Sequence, residues 1–281
     1  LGHADPGSQS SAGSQSTLHL RVLSALVLAP IAVAAAWFGW RWLAILTATA
    51  GAVMAWEWAC LCRAGRLGAS GAVLIGAVLA AVAAEAAFGV GPAIWVSLLG
   101  AAIVFGAARL EPEGDPPWLA LGALWIGLPC VLLLWLVRID AAGRLTVLWI
   151  FAIVWATDIG AYAIGRWSGG PRLAPRWSPR KTWAGLIGGA GCAALAGWGT
   201  ARLLGYSSVL PLVLVSAGLA IVEQFGDLAE SVAKRRFGVK DSSGLIPGHG
   251  GLLDRLDGLL AVIPAVALLT LIGDGSVVTW Q

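Results

Sequence analysis

A succession of apolar runs, each long enough to cross a lipid bilayer, constrains this chain more than anything else in it. The first spans about Val22 to Trp40, and others follow near 43–61, 70–89, 92–108, 118–137, 146–165, 184–204, 207–229 and 259–279. A helix needs about 20 apolar residues to cross the hydrocarbon core. Inside that core only helices and closed barrels satisfy their own backbones. The fold class is therefore predicted to be all-α, a polytopic integral membrane protein of about nine transmembrane helices. Composition agrees: 12% of residues are charged, against about 25% in a soluble domain. Residues 18–281 are expected to form one transmembrane domain. Residues 1–17, rich in Ser, Gly and Gln, read as a disordered lead. The first run lacks a small-x-small cleavage site, so it reads as an uncleaved anchor.

Charge placement gives the orientation. With the N-terminus in the cytoplasm, that side receives Arg21, Arg63, Arg66, Arg109, Arg166, Arg172, Arg176, Arg180, Lys181, Lys234, Arg235, Arg236, Lys240 and Arg255. The other side receives only Arg41, Arg138, Arg144 and Arg202. This is a positive-inside bias. Tryptophans at the expected span ends, Trp56 and Trp58 among them, read as an interfacial belt. A net charge of +3 with no basic stripe excludes nucleic acid as a partner. Cys60, Cys62, Cys130 and Cys192 have no metal-site spacing and read as small core residues.

The chemistry is concentrated in the stretch from Gly226 to Asp257, where acids and bases crowd against apolar sequence. Charges placed beside hydrocarbon are expensive and mark functional sites. If the preceding helix continues through Lys234, Asp227, Ser231 and Lys234 share one face at i, i+4 and i+7, with Glu223 and Glu230 on or beside it. A turn-rich segment from Gly238 to Gly251 follows, in which backbone N–H groups can approach an anion. Asp254 and Asp257 then fall at i, i+3 at the start of the next helix. Two acid-bearing helix ends around a glycine loop suit Mg²⁺, a hard cation that takes oxygen ligands and keeps substrate phosphate among them. Lys234, Arg235 and Lys240 would neutralise phosphate oxygens. The plain alternative is a solvated loop balanced by its own ion pairs.

A second polar stretch runs from Trp155 to Gly189. Asp158 and Tyr162 lie at i, i+4, with Asp158 inside an apolar run where an acid usually lines a cavity. Ser178, Lys181 and Thr182 precede a helix and have the character of an anion site at its N-terminus. Gly185 and Gly189 form a small-xxx-small packing face. Neither a P-loop nor a dinucleotide fingerprint is present. Glu57, inside Trp56-Glu57-Trp58, is expected to reach the interface, and Glu85 to face the bundle or end its span early.

The run from Ser231 to Asp257, with its Lys234-Arg235, Lys240-Asp241, Pro247-Gly248-His249-Gly250-Gly251 and Asp254-Arg255-Leu256-Asp257 elements, resembles the signature of the bacterial phosphatidate cytidylyltransferases, the CDP-diacylglycerol synthases. The segments around Asp158–Arg166 and Ser178–Gly189 are similar to the same family. Ala233 departs from it, standing where a bulkier apolar residue is usual. The resemblance implies transfer of CMP from CTP to phosphatidate, with release of pyrophosphate and a requirement for Mg²⁺. A second cation is compatible with it. It implies Asp227, Ser231 and Asp254 as metal ligands, with Asp227, Asp254, Lys234 and Asp257 as the catalytic group. Ser178, Lys181, Thr182, Arg235, Lys240, Asp241, His249, Asp158 and Tyr162 are implied on the substrates. It further implies the inner membrane of a bacterium, an active site open to the cytoplasm, and acyl chains that stay in the bilayer. Gly-rich faces permit a homodimer. A transferase acting on another lipid is the nearest alternative. A transporter would instead scatter its acids through mid-span positions of opposed repeats.

Overall fold

The computed structural model describes residues 26–246 and 250–280. The expected lead over 1–17 and the substrate-contact expectation for His249 lie outside the described residues. Nine α-helices occur within them: α1 (Leu26–Phe38), α2 (Trp40–Cys62), α3 (Gly68–Phe88), α4 (Val90–Arg109), α5 (Pro116–Arg138), α6 (Gly143–Ser168), α7 (Trp183–Leu203), α8 (Leu210–Arg236) and α9 (Leu253–Ile272). A hairpin of β1 (Arg172–Ala174) and β2 (Ser178–Thr182) joins α6 to α7. The chain is an all-α polytopic membrane protein, in which seven of the helices are long and apolar enough to cross a membrane.

The two exceptions have simple causes. The described part of α1 is short, and α7 is diluted by glycine. Those glycines serve packing, as the small-xxx-small face suggested. A Cβ at Gly185 would sit 3.0 Å from the Ala161 carbonyl oxygen, and one at Gly189 3.0 Å from the Thr157 carbonyl oxygen. Bare backbone at these points lets α6 and α7 run in close contact. Only Gly89 separates α3 from α4. Its φ of 84° lies in the left-handed region, which turns the chain sharply at no steric cost.

The last helix is shifted from the expected 259–279, starting earlier at Leu253 as well as ending earlier. α9 ends at Ile272, not near 279, because Asp140 accepts from both the backbone N–H (3.1 Å) and the hydroxyl (2.7 Å) of Ser276. That anchor starts the 3₁₀ turn Val277–Thr279 against the α5–α6 connection. Trp58 is a second departure. It is buried in the core and donates its indole N–H to the Trp118 carbonyl (2.7 Å), so it belongs to no interfacial belt.

Four connections meet on one face of the bundle. Arg63, after α2, pairs with Glu111, after α4. Arg236, at the end of α8, lies 3.5 Å from Asp115, before α5. Arg235 donates to the Trp177 carbonyl of the hairpin at 3.4 Å. The opposite face carries Arg138, 3.3 Å from buried Glu85 and stacked over Trp40. Glu85 therefore faces the bundle, and its helix keeps its full length.

Candidate active site

Helix α8 continues unbroken through Arg236, so the expected face is real: Ser231 Oγ lies 3.4 Å from Asp227 Oδ1, one turn away. The close approach of α8 to α9 depends on Gly226, where a Cβ would stand 2.6 Å from the Ala261 Cβ and 2.9 Å from the Asp257 carbonyl oxygen. This brings the acids of both helix ends together. Lys234 Nζ sits between them, 2.6 Å from Asp254 Oδ1 and 3.2 Å from Glu230 Oε2. Asp254 Oδ2 accepts from the Gly251 N–H (2.8 Å), the Ser242 N–H (2.9 Å) and the Ser242 hydroxyl (3.0 Å). It thereby folds the loop between α8 and α9 over the helix start.

The second polar stretch reaches the same place. Ser178–Thr182 is a strand and not merely a lead into a helix, because it pairs antiparallel with β1, Arg172 opposite Thr182 and Ala174 opposite Ser178. Thr182 ends the strand and caps α7, its hydroxyl accepting from the Gly185 N–H at 3.0 Å. The hairpin delivers Lys181 to α8, where Nζ lies 2.7 Å from Asp227 Oδ2 and donates to the Gln224 carbonyl at 3.3 Å. Asp158 comes in from α6, within electrostatic reach of Asp227, Lys181 and Arg255.

Two carboxyl pairs stand out. Asp158 on α6 and Glu223 on α8 lie within electrostatic reach of each other, as do Glu230 on α8 and Asp257 on α9. Carboxyl groups this close repel unless a proton or a cation lies between them. Glu223 and Glu230 are both buried, whereas Asp158, Asp227, Asp254 and Asp257 keep access to the site.

Other expected residues are less engaged. Arg235 holds the Val239 carbonyl at 3.0 Å, and Lys240 and Asp241 are exposed on the loop. Asp241 packs beside Gly250, whose φ of 83° makes room for the Asp254 carboxylate. Tyr162 is 70% exposed on α6. Glu57 departs from its expected position. It does not reach the interface: it is fully buried and accepts from the backbone N–H groups of Leu252 (2.9 Å) and Leu253 (2.7 Å) at the start of α9. The only sequence signal was an acid placed between two tryptophans at a helix end.

The donor set suits a hard cation. Asp227, Ser231, Asp254 and Asp257 offer oxygens alone, the ligand type Mg²⁺ prefers. Among the described residues no three acids converge on one point.

A polytopic membrane protein with a lysine-bridged acidic cleft at one end of its bundle is thus the class defined by fold and site. The Cytidylyltransferase family profile matches residues 19–272. Curated relatives called phosphatidate cytidylyltransferase include that of Brucella suis, 38% identical over 92% of this chain and 94% of its own length. The protein of that name in Pseudomonas aeruginosa is 35% identical over 90% of this chain and 96% of its own. In Haemophilus influenzae the match is 43% identical but covers 43% of this chain and 44% of that one. The chain belongs to the cytidylyltransferase family.

Proposed function

We propose that this protein transfers CMP from CTP to phosphatidate, forming CDP-diacylglycerol and pyrophosphate at the membrane surface. The observation that carries this reading is the meeting of the hairpin lysine with the acids of α8, at the same end of the bundle where Lys234 bridges α8 to α9. Family membership and the activity named for the curated relatives support it.

The attacking group is the phosphatidate phosphate, which is largely ionised near neutral pH because a phosphomonoester has its second pKa at about 6. A protein nucleophile is unnecessary. Catalysis then rests on positioning and on neutralising charge as pyrophosphate leaves. Lys181 and Lys234 are placed for that task, with Arg235 and Lys240 on the approach. Ser178 and Thr182 position the hairpin, and Asp158 borders the lipid side of the cleft. Asp227, Ser231 and Asp254 would hold Mg²⁺, with Asp257 beside them. A bound ion there would offset negative charge on the triphosphate. Lys234 and the loop N–H groups hold the Asp254 carboxylate at the start of α9.

The basic residues on the site face support a cleft open to the cytoplasm by the positive-inside rule, on the side where CTP is found. The acyl chains remain in the bilayer, and the surrounding membrane is the bacterial inner membrane. Incubating the purified protein with CTP, phosphatidate and Mg²⁺ tests the proposal by pyrophosphate release. Absence of turnover by folded protein overturns it, and release with another lipid acceptor in place of phosphatidate would point to a related transferase.

A further inference from the structure

The end of α2 lies outside the charged signature, yet it holds both ends of the loop between α8 and α9. Glu57 accepts four hydrogen bonds there. Two come from the Leu252 and Leu253 N–H groups, which have no helical partner at the first turn of α9. The others come from the hydroxyls of Ser243 (2.5 Å) and Ser242 (3.4 Å). The next residue, Trp58, reaches the other end. Its ring lies 6.1 Å from that of Trp118, which meets Phe237 edge-on at 5.8 Å, just after α8. The dipeptide Glu57-Trp58 thus holds the entrance of α9 directly and reaches the exit of α8 through Trp118.

A cavity of about 460 Å³ lies against this junction, lined in part by Cys60, Arg63, Phe237, Val239 and Ser242. Hydrogen bonds to Glu57 therefore fix where Ser242 and Ser243 sit. Ser242 also donates to Asp254, and one hydroxyl proton serves one acceptor at a time. The shorter contact is to Asp254, which leaves Ser243 as the main tether of the loop to Glu57. The approach is tight: a Cβ on Gly251 would stand 2.6 Å from Glu57 Oε1.

We propose that Glu57 is a positioning residue for cytidylyl transfer, clamping the Ser242–Leu253 segment so that Asp254 and Lys234 keep their registration across the α8–α9 cleft. Fully buried, it acts through the loop. The role gives the N-terminal helices, which carry none of the signature, a part in the reaction. This inference rests on the activity proposed above.

The test compares wild type, E57Q and S243A as full chains in nanodiscs, measuring kcat and KM for CTP and phosphatidate beside thermal unfolding. E85Q, altering a buried pair on the opposite face, serves as the control for general destabilisation. Misplacing catalytic groups by a fraction of an ångström costs about 10- to 100-fold in rate. E57Q should therefore lose about that much in kcat, with each KM held within about threefold and a midpoint shift of no more than about 4 °C. S243A should lower kcat less, and the double variant should lose no more than E57Q alone, because both remove one tether. E85Q should lower the midpoint and leave kcat per folded molecule intact.

Wild-type kcat in E57Q overturns the proposal. So does a loss in E57Q that merely follows the fraction unfolded, as in E85Q. Should E57Q not fold, S243A decides, and full kcat in S243A overturns the clamp. An inactive wild-type protein would instead overturn the assigned reaction and the clamp with it, whereas active wild type beside active E57Q removes the clamp alone.

Discussion

Lys181 Nζ lies 2.7 Å from Asp227 Oδ2, joining the β-hairpin to the middle of the site 46 positions along the chain. The contact fixes an exposed hairpin to α8, and it leaves the ammonium beside the place where a triphosphate would bind. Replacing Lys181 with Ala should raise the KM for CTP by about tenfold, the scale of one lost charge-assisted hydrogen bond, with a smaller change for phosphatidate. Initial-rate measurements with each substrate varied in turn check this. Unchanged CTP dependence would remove Lys181 from the nucleotide site.

Asp254 organises the loop as well as the charge balance, since its two oxygens accept from Lys234, Ser242 and Gly251. Asn is nearly isosteric but lacks the charge Lys234 requires. D254N should lower CTP-dependent pyrophosphate release by about 1,000-fold or more, the scale seen when a group that organises transition-state charge is lost. The protein should still insert and remain monodisperse in detergent. Full activity would end the assignment of this residue to the catalytic group.

Gly226 tests whether the closeness of α8 and α9 matters. A valine there places methyl groups where the Asp257 carbonyl and Ala261 already stand. G226V should destabilise by about 1–3 kcal/mol, as overpacking does. It should also reduce kcat by separating Asp227 from Asp257. Thermal unfolding and turnover on the same preparation would show both losses together.

The Arg138–Glu85 pair offers a contrast without chemistry. Glu85 is 2% exposed, so R138A strands a buried acid. The expected penalty is about 3 kcal/mol, read as a lower unfolding midpoint, with KM values unaltered.

Glu111 gives a pH signature of the bundle at the site face. Burial works to raise its carboxyl, but hydrogen bonds from the Ser70 N–H (2.8 Å) and hydroxyl (2.9 Å), together with Arg63, outweigh it and hold the carboxyl below its ordinary 4.5. A carboxyl lowered on folding contributes stability that is complete above its unfolded value and disappears as pH falls through the folded one. The midpoint difference between wild type and E111Q should stay level down to about pH 5 and shrink towards about pH 3. A difference that grew on acidification would contradict the pairing.

Much of the site was legible in the chain because its residues are near neighbours on helices. Asp227 with Ser231, and Asp254 with Asp257, follow from a period of 3.6 residues once the helices are placed. The Lys181–Asp227 contact was not legible as a contact. It depends on a hairpin whose pairing, Arg172 with Thr182, has no periodic hydrophobic signal to announce it. Glu57 was harder still. Its partners lie 185 to 196 positions away, and an acid between tryptophans looks the same at an interface as in a buried clamp.

The sequence by itself determined the membrane class, most of the helices before α8 to within a few residues, and the two segments that carry charge. These follow from local quantities: hydropathy over a span's length, helical spacing, and the cost of charge beside hydrocarbon. Only the tertiary structure decided which acid faces which. Lys234 bridges α8 to α9, Asp158 meets Glu223, and Glu57 caps α9 because glycine-lined helices approach closely enough for those side chains to touch. Contacts between distant parts of the chain are set by packing and loop closure, which no single stretch of residues encodes.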